Sequence, residues 1–410
     1  MRRLHPMLGR PTRVVLVLLF LAAAGMASWT AADEPERFDP KLPRAKPITP
    51  PTAEAIDEAI VRGIDFLVAR QEKNGAWGSA QRTKSYNIYA PAPGAHHAFR
   101  AAVTSLCISA LIESGDSRPE VVAAIDRAEA WLFEHLPSVR RANADALYNT
   151  WGHAYSIRAL VRMHGRHADD PDKQKRIKEL IEQQIDMLER YECVDGGWLY
   201  YDMVAYTKQP SGSSMSFVTA TVLVALAEAR DLGIGIDIAP KSIEKAVESL
   251  RRQRLGDFSY LYGEYLKMQP ARYINRSAGS IGRSQACNLA MYLWKDEKTT
   301  LPVVRTWLDR LFVQQMWFDV ARKRPIAHES WMQISGYFYY YGHFYAAGCI
   351  ELLPPEERPY FQQHLAHIIL PLQEKDGSWW DYPFYDYHQQ YGTAYALMTL
   401  LRCRPEKTAE

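Results

Sequence analysis

The chain has 410 residues, 47% hydrophobic and 23% charged, which is ample apolar surface for a large folded core and excludes disorder. Lys and Arg total 49 against 47 Asp and Glu, a formal net charge of +2, so no broad electrostatic attraction draws the chain to nucleic acid or to an acidic membrane. Nucleic acid is therefore excluded as a partner.

The N-terminus carries Arg2, Arg3, Arg10 and Arg13, then the apolar run Val14 to Ala24, then the small residues Ala27, Ser28, Thr30, Ala31 and Ala32. That order predicts a signal peptide over residues 1–32 and export to the periplasm, the cell envelope or the exterior. The apolar run is short for a membrane span, so no integral span is expected after cleavage, with an uncleaved signal anchor as the alternative. A proline-rich linker over 33–51, with Pro35, Pro40, Pro43, Pro47, Pro50 and Pro51, should be extended. The folded body is expected over 52–405, with a short tail at 406–410. Cys107, Cys287, Cys349 and Cys403 sit in apolar helical patterns and read as buried thiols, while Cys193 lies in a loop. No Cys-x-x-Cys spacing or Cys and His cluster occurs, and neither metal nor cofactor is expected.

Gln71-Glu-Lys-Asn-Gly75-Ala-Trp77 recurs as Gln373-Glu-Lys-Asp-Gly377-Ser-Trp379. Weaker copies fall at Gly196 and Trp198, at Gly256 and Phe258, and around Gln314, Gln315 and Trp317. The aromatic positions 198, 258, 317 and 379 are separated by near-equal steps of 60, 59 and 62 residues. Each unit reads as a helical hairpin whose first half is amphipathic and whose second half is small, apolar and nearly free of charge. First-half helices are predicted over Thr52 to Gln71, Pro119 to Leu136, Asp172 to Tyr191, Pro240 to Arg254, Leu301 to Met316 and Glu356 to Gln373. Second-half helices are predicted over His97 to Ser114, Thr150 to His164, Ser214 to Asp231, Arg283 to Trp294, Gly336 to Leu353 and His388 to Cys403. The fold class is all-α, an α/α toroid of six hairpins with six inner and six outer helices. A closed ring is favoured over an open array because the first and last motif copies are the best preserved.

These Gln-x-x-x-Gly-x-Trp loops followed by small-residue helices resemble the repeats of squalene and oxidosqualene cyclases and, more distantly, protein prenyltransferases, over roughly Thr52 to Cys403. The resemblance implies a central ligand cavity, and it implies that Gln71, Gly75, Trp77, Gly196, Trp198, Gly256, Phe258, Gln373, Gly377 and Trp379 are structural. It also implies an isoprenoid-like ligand. The cyclase acid signature D-x-D-D-T-A is missing, its nearest string being Met215-Ser-Phe-Val-Thr219-Ala220, and no D-x-C zinc motif occurs. Asp169, Asp170 and Asp172 lack the spacing that holds magnesium diphosphate and suit a helix N-terminus instead.

Three clusters on the inner helices are more polar or aromatic than a barrel core needs. Asn149, Trp151, His153 and Tyr155 open the second inner helix, where a helix cap and a hydrogen-bonded core histidine are favoured over a ligand-binding role. Tyr337, Tyr341 and Tyr345 form a stripe beside His343, suited to lining a cavity, to stabilising a cation or to plain helix packing. Asp386 and His388 open the last inner helix near Tyr391, and they are the candidate general acid and its proton relay, with a helix N-cap as the alternative for Asp386. Arg283, Gln285 and Asn288 add polar groups to the fourth inner helix.

The leading expectation is an exported cyclase-like or prenyltransferase-like toroid that takes an isoprenoid-like or other apolar small molecule or lipid. A non-catalytic envelope scaffold or protein-binding toroid is one alternative. A glycan-active enzyme akin to polysaccharide lyases is the other, since Asn149, His153, Tyr155 and Arg283 are residue types such enzymes use.

Overall fold

The computed structural model describes residues 44–84, 95–139, 149–200 and 212–405. The expected signal peptide, the linker up to residue 43 and the tail 406–410 lie outside the described residues. Six hairpins follow one another. They pair α1 (Ala53–Arg70) with α2 (Ala95–Ser114), α3 (Pro119–His135) with α4 (Asn149–Arg166), and α5 (Pro171–Arg190) with α6 (Ser216–Asp231). Next come α7 (Pro240–Gln253) with α8 (Ile281–Leu293), α9 (Leu301–Val313) and α10 (Gln315–Ala321) with α11 (Phe338–Glu351), and α12 (Arg358–Ile369) with α13 (His388–Arg402). Among the described residues the only β pairing is two isolated bridges, Met215 with Gly263 and Arg254 with Tyr260.

The two helices of each hairpin differ in kind. In α5, Pro171 occupies the first turn, and the Asp170 side chain caps it by accepting the Lys173 N–H at 3.0 Å. Its buried residues Ile177, Leu180, Ile181, Gln184, Ile185 and Leu188 make one stripe, so the helix has one wet side and belongs outside. In α6 almost every residue from Ser216 to Ala229 is buried, so the helix must be surrounded on all sides. The inner helices pack in the order α2, α4, α6, α8, α11, α13, and α13 packs back on α2. The toroid is closed.

The repeated loops explain the closure. Gln71 Nε2 donates to its own loop at the Gly75 carbonyl (3.0 Å) and to the Ala124 carbonyl of the next outer helix, α3 (2.8 Å). The Trp77 indole N–H donates back to the Leu67 carbonyl of α1 at 2.7 Å, and the Trp77 backbone N–H donates to Thr104 Oγ1 of α2 at 3.1 Å. In the last hairpin Gln373 repeats the pattern, donating to the Gly377 carbonyl and, 314 residues away, to the Ala59 carbonyl of α1, each at 2.9 Å. The final loop thus clamps the first helix. Gly75 and Gly377 have φ of +93° and +87° and press against the Arg127 and Arg62 carbonyls of those helices, which leaves no room for a side chain.

Two copies of the motif differ from the sequence reading. In the fourth loop Leu255 N–H bonds the Ser259 carbonyl and Phe258 N–H bonds the Leu255 carbonyl, the same pattern that Glu72, Ala76 and Gly75 make in the first. Phe258, with φ of +61°, therefore holds the glycine position and Tyr260 the tryptophan position, a register two residues later than Gly256 and Phe258 suggest. Around Gln314 and Trp317 there is no such loop, because Gln315 to Ala321 forms α10. All five cysteines, Cys193 included, are buried, and none of them is in a disulfide.

Candidate functional site

All six inner helices run the same way. Their C-terminal turns meet in an ion-pair lattice in which Arg158 and Arg162 of α4 reach Glu228 of α6 at 2.7 and 2.8 Å. Arg162 also reaches Glu113 of α2 at 2.5 Å, and Arg402 of α13 reaches Glu113 at 2.6 Å and Glu351 of α11 at 2.9 Å. Glu113, Glu228 and Glu351 stand in the last turns of their helices, where the helix dipoles disfavour an acid, and the three arginines offset that cost and close that end of the barrel. Just above it, Tyr345 donates to Thr221 Oγ1 (3.2 Å), and the Tyr155 and Tyr395 hydroxyls bond to each other.

The N-terminal halves of the inner helices surround a cavity of about 450 Å³. Phe99, Ala102, Val103 and Leu106 of α2, Trp151 and Tyr155 of α4, Phe217 of α6, Phe338 and Tyr341 of α11, and Tyr391 and Tyr395 of α13 form its wall. Loop residues Tyr200, Tyr262, Tyr265, His328, Tyr337, Tyr382, Phe384 and Tyr387 complete it. Ten of these are tyrosines and none is an acid. The volume is in the range of small-molecule sites, roughly 300–1,000 Å³.

At one side of the cavity Tyr262 Oη lies 3.3 Å from Tyr337 Oη, which in turn lies 3.5 Å from His328 Nε2. His328 Nδ1 is 2.7 Å from the Gln333 carbonyl, which can only accept, so Nδ1 carries the proton and Nε2 faces Tyr337 as an acceptor. Burial holds His328 below the usual histidine pKa, and the guanidinium charges of Arg283 and Arg272 push the same way. The imidazole is neutral at neutral pH. His328 and Gln333 both adopt left-handed backbone, φ +62° and +56°, and Ser335 Oγ holds the His328 N–H at 3.0 Å. A β-carbon residue kept in that region by its surroundings is a mark of functional sites.

On the adjoining wall, where the Tyr382 ring lies 5.4 Å from that of Tyr337, Tyr391 Oη donates to Asp381 Oδ1 at 2.6 Å, and Asp381 Oδ2 accepts the Tyr340 N–H in the first turn of α11 at 3.1 Å. Burial raises the Asp381 pKa to about 7 against the lowering effect of those two bonds. The carboxyl caps a helix of the neighbouring hairpin and backs a cavity hydroxyl at once.

Of the residues singled out in the sequence, Trp151, Tyr155, Tyr337, Tyr341 and Tyr391 line the cavity. Tyr345 lies one turn deeper, beneath its floor. The others turn away from the axis. Asn149 is buried at the first residue of α4, and His153 Nδ1 meets Gln184 Oε1 of α5 at 2.7 Å. Gln285 donates to the Trp307 carbonyl of α9 (2.8 Å), Asn288 to the Phe258 carbonyl (3.4 Å), and His343 contacts Gln315 of α10 (3.1 Å). Arg283 donates to the Tyr260, Gly279 and Ile274 carbonyls. Asp386 neither lines the cavity nor caps α13, because Arg70 holds it at 2.9 Å and Ser79 at 3.1 Å. His388 Nδ1 is tied to the Tyr385 carbonyl at 2.5 Å, and burial lowers its pKa to about 4. Sequence reasoning passed over Tyr262, His328 and Asp381, which sit on loops where no periodicity marks them. The Trp379-Trp380-Asp381 run inside a motif loop was the one available signal.

Among the described residues no group of three or more His, Cys, Asp or Glu is placed to hold a metal ion, and no helix is long and apolar enough to cross a membrane. No family model matches the chain, and no curated protein matches it. Solved structures do. The cellobiose 2-epimerase of Spirochaeta thermophila DSM 6192 aligns over 86% of this chain and 96% of its own, at 12% identity and a TM-score of 0.52. An inactivated variant of an α-1,6-mannanase from Salegentibacter sp. HEL1_6, solved with α-1,6-mannotriose, aligns over 86% and 98%, at 12% identity and a TM-score of 0.50. A D-mannose isomerase aligns over 86% and 99%, at 12% identity and a TM-score of 0.50. At this identity the likeness shows the fold, an α/α toroid. It corrects the expected membership in the squalene cyclase and prenyltransferase family, because the matching structures are toroids that act on sugars. The expectation of an isoprenoid-like or apolar ligand falls with it. The Gln and Trp loops are a packing device that a closed ring of hairpins needs, and they carry no chemistry.

Proposed function

We propose that the protein is a glycan-active enzyme that binds a saccharide in the tyrosine-lined cavity and moves a proton on or off it through Tyr337 and His328. The observation that carries this reading is the Tyr262, Tyr337 and His328 cluster on the cavity wall, with the neutral His328 Nε2 turned to accept from Tyr337. Aromatic faces suit the C–H faces of a sugar ring, and phenol hydroxyls suit its hydroxyl groups. Glycoside hydrolysis uses two carboxyl groups flanking the bond, about 5–10 Å apart, and the cavity wall offers none among the described residues. Proton transfer at carbon, as in epimerisation, isomerisation or elimination, fits the residues present. The epimerase and isomerase among the matching folds support this as an analogy of fold. We also propose that the chain is exported through residues 1–32 and meets its glycan outside the cytoplasm.

The test is incubation with a panel of oligosaccharides in D2O, with mass spectrometry for solvent deuterium in sugar C–H positions. Incorporation or an unsaturated product is expected, reduced about 100-fold or more in Tyr337→Phe. A panel that neither binds nor exchanges overturns the reading.

A further inference from the structure

Resting on the glycan reading above, we propose that the saccharide is acidic, bearing a carboxylate or a sulfate ester that the basic rim of the cavity mouth around Arg272 holds. The rim consists of two segments, 264–279 and 322–335, that present the cavity residues Tyr265, His328 and, with the adjoining turn, Tyr262. They carry Lys267, Arg272, Arg276, Arg322, Lys323 and Arg324 against only Glu264 and Glu329. Arg322 packs over Tyr339, Lys323 is held by Trp380 and Glu374, and Arg324 donates to the Val320 carbonyl, so the cations left to the mouth are Lys267, Arg272 and Arg276, while Glu264 is already taken by Arg252 at 2.6 Å.

Two guanidinium groups matter most. Arg272 is exposed, makes no ion pair among the described residues and adjoins Tyr273, whose ring lies 6.0 Å from Trp331 of the other rim segment; its charge acts on both Tyr265 and His328. Arg283 stands behind the wall at 2% exposure, its centre 5.7 Å from the Tyr262 ring, and its hydrogen-bond partners are backbone carbonyls. A buried cation without an acid is costly, and an anion arriving at Tyr262 and Tyr265 would repay part of that cost. A neutral sugar would answer neither charge.

The same rim extends the aromatic surface outward. Tyr265, Tyr273 and Trp331 are 56%, 40% and 66% exposed, and the Tyr273 and Trp331 rings lie 6.0 Å apart. Rings that face solvent beside a cavity give the next sugar units of the same chain a place to stack. Arg276 packs over Tyr273 at 4.6 Å, which keeps a positive charge beside that shelf.

Calorimetric titration of the protein with three trisaccharides of one linkage, neutral, uronate and sulfated, tests the proposal. An acidic form is expected to bind about tenfold or more tightly than the neutral one, with Arg272→Gln weakening it about tenfold and added salt weakening it further. Which acidic form binds identifies the anionic group. Lys175→Gln, an exposed charge on α5 far from the mouth, is the control and leaves the preference intact. Equal affinity for neutral and acidic forms overturns this inference while saccharide binding stands. A preference untouched by both Arg272→Gln and Arg272→Glu removes the rim as its origin. Binding of none of the three overturns this inference together with the function it rests on.

Discussion

Arg402 Nη1 donates to Glu113 Oε2 at 2.6 Å and so joins the last turn of the final inner helix to the last turn of the first, across 289 residues. With Gln373 on Ala59 at the other side of the ring, this pair fastens the seam at which the toroid closes. Removing one member leaves the other charge buried among the remaining ions. Arg402→Ala is expected to lower stability by about 3 kcal/mol in urea denaturation. A loss within error of zero would mean that helix packing alone holds the seam.

The same lattice sets an acid limit. Burial by itself raises a carboxyl pKa, but Arg162 and Arg402 outweigh it at Glu113, and Arg158 and Arg162 at Glu228, so both are held at about 2 against an ordinary 4.5. A folded pKa below the unfolded one adds stability that is fully present above pH 4.5 and is lost as pH falls toward 2. The urea midpoint should therefore drop steeply below pH 4.5, and the drop should be shallower in Glu228→Gln.

At Gly377 a β-carbon would lie 2.4 Å from the Arg62 carbonyl oxygen, in a backbone of φ +87°. Gly377→Ala is expected to cost about 2 kcal/mol or more, because strain and clash add. Gly256→Ala, where nothing lies within 4 Å, should be close to neutral. Thermal denaturation of the two variants side by side separates a clamp from a spacer.

Asp381 titrates in the opposite sense. Its folded pKa, raised by burial to about 7, lies above the ordinary 3.8, so its contribution is full below pH 3.8 and declines as pH rises through 7. In Asp381→Asn that decline disappears, and stability between pH 4 and 7 becomes flatter. An unchanged slope would show that the carboxyl does not carry the titration.

The hairpins were legible because burial imposes two periodicities that sequence preserves. A striped helix such as α5 and an all-apolar helix such as α6 cannot exchange places. The direction each inner side chain takes was not legible. His153, Gln285 and His343 look like cavity residues by position, but each needs a hydrogen-bond partner, and the partners lie on the outer layer at Gln184, the Trp307 carbonyl and Gln315. Tyrosine tolerates the axis because its ring is apolar and its hydroxyl finds a partner there, as Tyr341 does on the Phe217 carbonyl. Asp386 stood where a helix begins, which favoured it on sequence, but Arg70 draws it outward. His328 and Asp381 belong to loops whose shape depends on the finished ring. The family resemblance misled for a related reason, since the Gln and Trp loops record how hairpins are fastened together and are silent on what the cavity holds.

The lattice of Arg158, Arg162, Arg402, Glu113, Glu228 and Glu351 turns the barrel into a blind well. A polymer cannot thread through it. A saccharide bound as proposed enters and leaves by the one doorway, past the rim that carries Tyr265 and His328.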